Sequence, residues 1–236
     1  MDESRPLQNR VPPTGEIISH PGRGLLMGNR GCLHGAGRVL GSARWRSKLW
    51  ICCVLRWKEV RRDPMPPGRW TALFFLDEAT ALAAGHRPCA YCRRQDFLAY
   101  AHAWARAIAL PPGDRPYAAQ MDAVLHRERV DPRSRRQITR RVPVVGLPDG
   151  AMVRLDDAEG VTPDGSGAAL LLGGALLPWS MTGYRAPVRP PETVELLTPP
   201  ATVAAIAAGY RPWLHPSATV AHQLRSLELE PRMRLG

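Results

Sequence analysis

The residues best placed to do chemistry in this chain are Cys89 and Cys92, separated by two residues in Pro88-Cys89-Ala90-Tyr91-Cys92-Arg93-Arg94. A turn across Ala90 and Tyr91 directs both sulfurs to one side, which is how a Cys-x-x-Cys pair grips a single metal ion. The flanking arginines favour the thiolate forms that bind metal. Zinc takes four ligands, so other donors must come from elsewhere in the chain. Cys52 and Cys53 lie on a β-branched and aromatic run. Neighbouring side chains on a strand face opposite ways, so only one of the two is expected to join the site, and the pattern leaves open which. Cys32, His34 and His86 are the candidates for the fourth place. A dithiol redox pair is the competing chemistry, but no βαβ pattern surrounds the motif. The bland alternative is a set of inert buried thiols, since free cysteine is among the most buried residue types.

Other groups carry weaker signals. Asp122 and His126 are four residues apart and share one face of a helix, with Glu128 close by. Such a set can orient a general base or hold a second metal, and it would serve a hydrolase acting on nucleic acid. An exposed ion pair on an amphipathic helix explains the same spacing. Residues 127–141 contain seven arginines and only two acids, Glu128 and Asp131. Within that run Arg133, Arg135, Arg136, Arg140 and Arg141, together with Arg93 and Arg94, are candidates for contact with a phosphate backbone. A solvated basic linker is the alternative. A second basic stretch, Arg38, Arg44, Arg46, Lys48, Arg56, Lys58, Arg61 and Arg62, is interleaved with Trp45, Trp50 and Trp57, which could stack on nucleobases. Tryptophan in a strand is more often core. Ser180 and Ser217 lack the Gly-x-Ser-x-Gly context of a nucleophile elbow. The chain has no Walker loop and no dinucleotide fingerprint.

Composition agrees with a polyanion partner. Lys and Arg total 32 against 21 Asp and Glu, a formal net charge of +11. Lys48 and Lys58 are the only lysines. GC-rich coding would substitute Arg for Lys, but it would not make bases outnumber acids. With 236 residues, 44% of them hydrophobic, the chain is long enough to bury a core. It has no apolar run of about 20 residues, so no membrane partner is expected. Met1–Arg10 lacks an apolar core, which sets a cytoplasmic expectation. Five cysteines in a reducing compartment argue for metal rather than disulfides.

The elements that must position these residues follow from local signals. Residues 1–15 read as a flexible lead-in and 22–31 as a glycine-rich turn. Residues 49–57 and 70–75 read as two strands of a hairpin around the proline-rich turn 63–68. Asp77 is the expected N-cap of a short helix, 78–84, that stops at Gly85. The same stop recurs at Ala207-Ala208-Gly209-Tyr210-Arg211-Pro212, without the cysteines. Helices are expected at 94–109 and 117–129. Beyond a soft boundary near residue 140, short apolar runs at 142–145, 151–155, 168–172, 176–178 and 194–197 predict a small β-rich domain to about residue 221. A short helix capped by Thr198 follows, and 222–236 is expected to fray. The fold class is therefore α+β, with a zinc-stabilised hairpin-and-helix module over 16–140 and a β-rich domain over 141–221.

Residues 74–93, Phe74-Phe75-Leu76-Asp77-Glu78 through Gly85-His86-Arg87-Pro88-Cys89-Ala90-Tyr91-Cys92-Arg93, resemble the end of the Ada-type metal-binding domain of bacterial alkylation-repair proteins. There a strand and short helix lead into Gly-aromatic-Arg-Pro-Cys-x-x-Cys, whose cysteines supply two of four zinc thiolates. An upstream zinc thiolate accepts a methyl group from a DNA phosphotriester. The resemblance implies that Cys89 and Cys92 bind zinc and that an upstream cysteine pair joins them, and it links a nucleic-acid-binding role to DNA repair; a zinc-stabilised protein-interaction module is the alternative. The family's two upstream cysteines are separated by three intervening residues, whereas this chain has adjacent Cys52-Cys53 and a distant Cys32. No acceptor thiol is therefore assigned. Residues 140–236 resemble no companion domain of that family.

Overall fold

The computed structural model describes residues 6–58, 63–155 and 166–229. Arg61, Arg62 and the final residues of the expected tail lie outside this set. The architecture is α+β: two six-stranded sheets joined by short helices.

The first sheet contains β1 (Gln8–Arg10), β2 (Ile18–Ser19), β3 (Leu26–Asn29), β4 (Ile51–Val54), β5 (Leu73–Phe75) and β6 (Arg87–Pro88), in the order β2-β1-β5-β3-β4-β6. Three expectations change here. Residues 8–10 form a strand, with Val11 fully buried, so this part of the expected lead-in is anchored. The glycine-rich segment contributes the central strand β3. Because β3 sits between β4 and β5, those two strands do not form the expected hairpin. The glycine that suggested a turn is instead demanded by crowding: a Cβ on Gly28 would overlap the carbonyl oxygen of Ile51 and press on the Phe75 ring. Glycine inside a strand commonly marks such a close backbone approach. Gly28→Ala is expected to cost about 3 kcal/mol, since the neighbouring backbone must shift; urea unfolding measures this, and a loss under about 0.5 kcal/mol would refute the crowding argument.

The sheet has two unlike faces. Leu26, Cys52, Leu73 and Phe75 pack with Val11, Ile17, Ala81 and Ala84. The opposite face carries Met27, Cys53 and Phe74. Helix α1 (Glu78–Ala83) covers the first face. Its N-cap Asp77 accepts from the Thr80 amide at 2.9 Å. The α1 C-terminus is closed by side chains: Ala83, Ala84 and Gly85 carbonyls accept from Gln137, Arg30 and Arg129.

Helices α2 (Arg94–Ala107) and α3 (Ala118–Arg129) match the apolar period and share a core with Ala205 and Ile206 of α4 (Pro200–Ala207). The second sheet contains β7 (Arg140–Pro143), β8 (Met152–Arg154), β9 (Ala168–Leu172), β10 (Ala175–Ser180), β11 (Gly183–Tyr184) and β12 (Thr193–Leu196), in the order β11-β10-β9-β8-β12-β7, with antiparallel pairings throughout. It begins at the boundary expected near residue 140. Packing crosses that boundary, because Leu76, Ala79 and Ala83 join the core of Met152, Leu170, Leu177 and Trp179. Asp77 and Glu78 reinforce the joint: Asp77 accepts from the Tyr184 hydroxyl and the His215 amide, and Glu78 from the Tyr210 hydroxyl and the Trp213 amide. Thr198 does not cap α4; its hydroxyl accepts from the Met152 amide of β8. Helix α5 (Pro216–Leu229) runs past residue 222, where fraying was expected. No helix among the described residues is long and apolar enough to cross a membrane.

Candidate metal centre

The centre forms on the outer face of the first sheet. Cys53 reaches it from β4. β6 runs parallel to β4, with Cys52 opposite Pro88, and the Cys89 amide donates to the Cys52 carbonyl at 2.9 Å. This register brings Cys89 beside Cys53. The turn that follows is closed by the Arg93 amide on the Cys89 carbonyl at 3.1 Å, and it returns Cys92 to the same point. The three sulfurs of Cys53, Cys89 and Cys92 lie within 4.8 Å of one another. Thiolates bound to zinc at about 2.3 Å on tetrahedral corners would sit about 3.8 Å apart, so a small contraction suffices.

Local chemistry fits a metal thiolate. The Tyr91 amide donates to the Cys89 sulfur at 3.4 Å, the Cys92 amide also points to it, and the Val54 amide points to the Cys92 sulfur. Backbone donors aimed at sulfur stabilise the anionic form. Contact with Cys53, then with Cys92, draws the Cys89 thiol well below its ordinary value. Cys53 is pushed up by its contacts with Cys89 and Cys92 and by burial. Cys92 is raised on balance: contact with Cys53 lowers it, while contact with Cys89 and burial raise it. Such a cluster shares its protons unevenly, and a cation is the natural replacement for them. Three soft sulfur ligands suit zinc. Met27, Ile51, Trp70 and Phe74 surround the cluster.

The other candidate ligands stand elsewhere. Cys52 is fully buried on the opposite face among aliphatic groups, where burial raises its thiol and Arg93 donates to its sulfur at 3.5 Å. Cys32 is exposed and its sulfur contacts the His34 carbonyl. The His34 ring is held by the Thr71 hydroxyl at 2.6 Å and the Pro66 carbonyl at 3.0 Å. His86 is buried between Trp50 and Phe75. Among the described residues no fourth Cys, His, Asp or Glu joins the group.

The Asp122, His126 and Glu128 set does not assemble. Asp122 is buried and takes both forks of Arg87, at 2.9 and 2.7 Å. Glu128 accepts from the Ala201 amide at the start of α4. His126 packs edge-on to Trp45 and Trp50. Their shared helix spacing is real, but each side chain has a different tertiary partner.

The basic candidates also divide. Arg93 is buried against Glu78 at 2.9 Å and Asp96 at 3.0 Å, so it has no part in a surface. Arg94, Arg133, Arg140 and Arg141 are exposed, the last two on the edge strand β7, where cations also discourage sheet-to-sheet pairing. Arg135 and Arg136 line a cleft of about 770 Å³ with Arg44 and Trp45. Trp50 is core, with the guanidinium carbons of Arg30 and Arg129 4.0 and 3.9 Å from its ring centre. Trp57 packs on Tyr91, with Lys58 also over the Tyr91 ring. Neither Arg30 nor Arg129 was singled out from the sequence. Arg129 had a local signal, since Met121, Leu125 and Arg129 fall on one buried helix stripe. Arg30 had none.

Comparison with known protein families, curated proteins and solved structures returns no match to this chain.

Proposed function

We propose that this chain is a zinc-binding protein that associates with nucleic acid, with the metal in a structural role. The gathering of Cys53, Cys89 and Cys92 around backbone amide donors carries the metal half of this reading. Cys53, Cys89 and Cys92 would hold the ion, leaving its fourth corner to a ligand from outside this group. Bound there, zinc would cross-link β4 to the turn that launches α2. The net charge of +11 and the exposed arginines of 133–141 support the nucleic-acid half. The likeness of residues 74–93 to Ada-type domains directs the reading toward DNA and repair. No hydrolytic role is assigned to Asp122, His126 or Glu128, whose side chains are committed to packing and pairing.

Salt tests the nucleic-acid half. Fluorescence anisotropy with labelled single-stranded and duplex DNA should show affinity falling about 100-fold or more between 50 and 200 mM salt, the signature of released counterions. Arg135→Ala with Arg136→Ala should flatten the log–log slope by about one for each lost phosphate contact. Binding that ignores salt, or no binding at low salt, would remove nucleic acid from the proposal while leaving the metal centre untouched.

A further inference from the structure

The cleft beside α1 has features that a basic exposed loop does not need. Six arginines line it, Arg30, Arg44, Arg129, Arg135, Arg136 and Arg154, against a single lining carboxylate, Glu16. Arg154 is neutralised by Glu195. Among the described residues the other five make no ion pair.

Two of those five are at the floor. Arg30 and Arg129 are each 2% exposed. Their hydrogen bonds go to neutral groups: Arg30 to the Gly15 carbonyl at 2.8 Å and to His86, Arg129 to the Gly85 and Lys48 carbonyls, both at 2.8 Å, and to His126. The Arg129 Nε has no partner. Burial lowers both guanidiniums to about 9; Glu16 partly opposes this for Arg30, whereas Arg30 adds to it for Arg129. Both remain cationic near neutral pH. Capping α1 explains only the contacts to the Ala84 and Gly85 carbonyls, and a cap does not require two like charges against one Trp50 ring. Buried charge is ordinarily paired.

We propose that this cleft is a binding site for a phosphomonoester carried by a nucleotide, with the buried Arg30 and Arg129 and the exposed Arg44, Arg135 and Arg136 supplying the cationic wall, and Trp45 the surface for the base. A phosphate dianion offers several oxygens, and guanidinium forks satisfy them in pairs. Trp45 is half-buried on the cleft wall, with His126 against it at 5.7 Å, so its ring is held in place for a base. The volume of about 770 Å³ accommodates a nucleotide. This assignment deepens the nucleic-acid reading by naming a terminal phosphate, and it rests on that reading only for the source of the phosphate.

Titration calorimetry on the full chain tests it, with adenosine 5′-monophosphate and adenosine as probes. The monophosphate should bind about tenfold tighter or more. Arg44→Ala with Arg136→Ala, both exposed, should weaken it about tenfold while leaving circular dichroism and metal content unchanged. Trp45→Ala should weaken the monophosphate but leave inorganic pyrophosphate as before. Equal binding of nucleotide and nucleoside, or unchanged affinity in the double variant, overturns the site. A 5′-phosphorylated tetranucleotide binding tighter than the monophosphate assigns the site to strand ends, and the reverse order assigns it to free nucleotides. Monophosphate binding without salt-dependent DNA binding would sink the nucleic-acid reading alone; the opposite result would sink this one alone.

Discussion

Cys53→Ser is expected to lose the metal, and Cys52→Ser, its immediate neighbour, to keep it. Protein purified under reducing conditions should carry about one zinc per chain by elemental mass spectrometry, the stoichiometry of a single thiolate site. Cys53 places its sulfur with Cys89 and Cys92, while Cys52 turns into the aliphatic core and takes only a contact from Arg93. Serine at 53 removes one of three thiolates, and the remaining pair binds weakly. Metal binding to a folded site is folding free energy, so its loss should cost several kcal/mol. In a chain of this size each kcal/mol moves the melting temperature by roughly 2–4 °C. Cys53→Ser, or treatment of the wild-type chain with a strong chelator, should therefore lower it by about 10 °C or more. Cys52→Ser should cost about 1 kcal/mol, and Cys32→Ser almost nothing. Zinc lost from the Cys52 variant and kept in the Cys53 variant would invert the assignment. No metal in fresh, reduced wild-type protein would end the metal reading altogether.

A loss of similar size is expected from a residue that makes no contact with the cysteines. Asp122 and Arg87 form a bidentate pair with both side chains at most 4% exposed. Arg87 is in β6, two residues before Cys89, and Asp122 is on α3, so the pair fastens the helix to the strand that runs into the Cys89–Cys92 turn. Removing one partner of a buried pair leaves the other charge desolvated, which costs about 3–5 kcal/mol. Asp122→Ala should thus unfold about 10 °C earlier, while His126→Ala, which loses ring packing and one contact with Arg129, should cost about 1 kcal/mol. Denaturant unfolding of the two variants provides the check. An Asp122→Ala protein as stable as wild type would show that the pair contributes nothing. If that stable variant also lost an activity on nucleic acid, the catalytic reading of Asp122 would return.

What was legible in the sequence is what short stretches of chain decide for themselves. The Asp77 cap, the stop at Gly85, the apolar stripes of α2 and α3 and the strand-forming runs after residue 140 all appear close to their expected positions. Each follows from a side chain acting on backbone within a turn or two, or from a repeat fixed by helix or strand geometry. The Cys89-x-x-Cys92 turn belongs to the same class. The expectation that only one of Cys52 and Cys53 faces the site rests on strand alternation, which is also local.

Tertiary structure decided which one. β3 enters between β4 and β5 through pairings across more than twenty residues, and the sheet then lays one face against α1 and leaves the other for the cysteines. No local signal carries that order, because strand neighbours are selected by how well distant surfaces pack. The same reason accounts for the arginines. Arg93 and Arg94 are adjacent and chemically identical, yet one is buried against Glu78 and the other exposed. Arg30 and Arg129, ninety-nine positions apart, both lie over the ring of Trp50. Charge type was fixed by the sequence, but whether a charge is solvated, paired or held bare at the floor of a cleft depends on what the fold places around it.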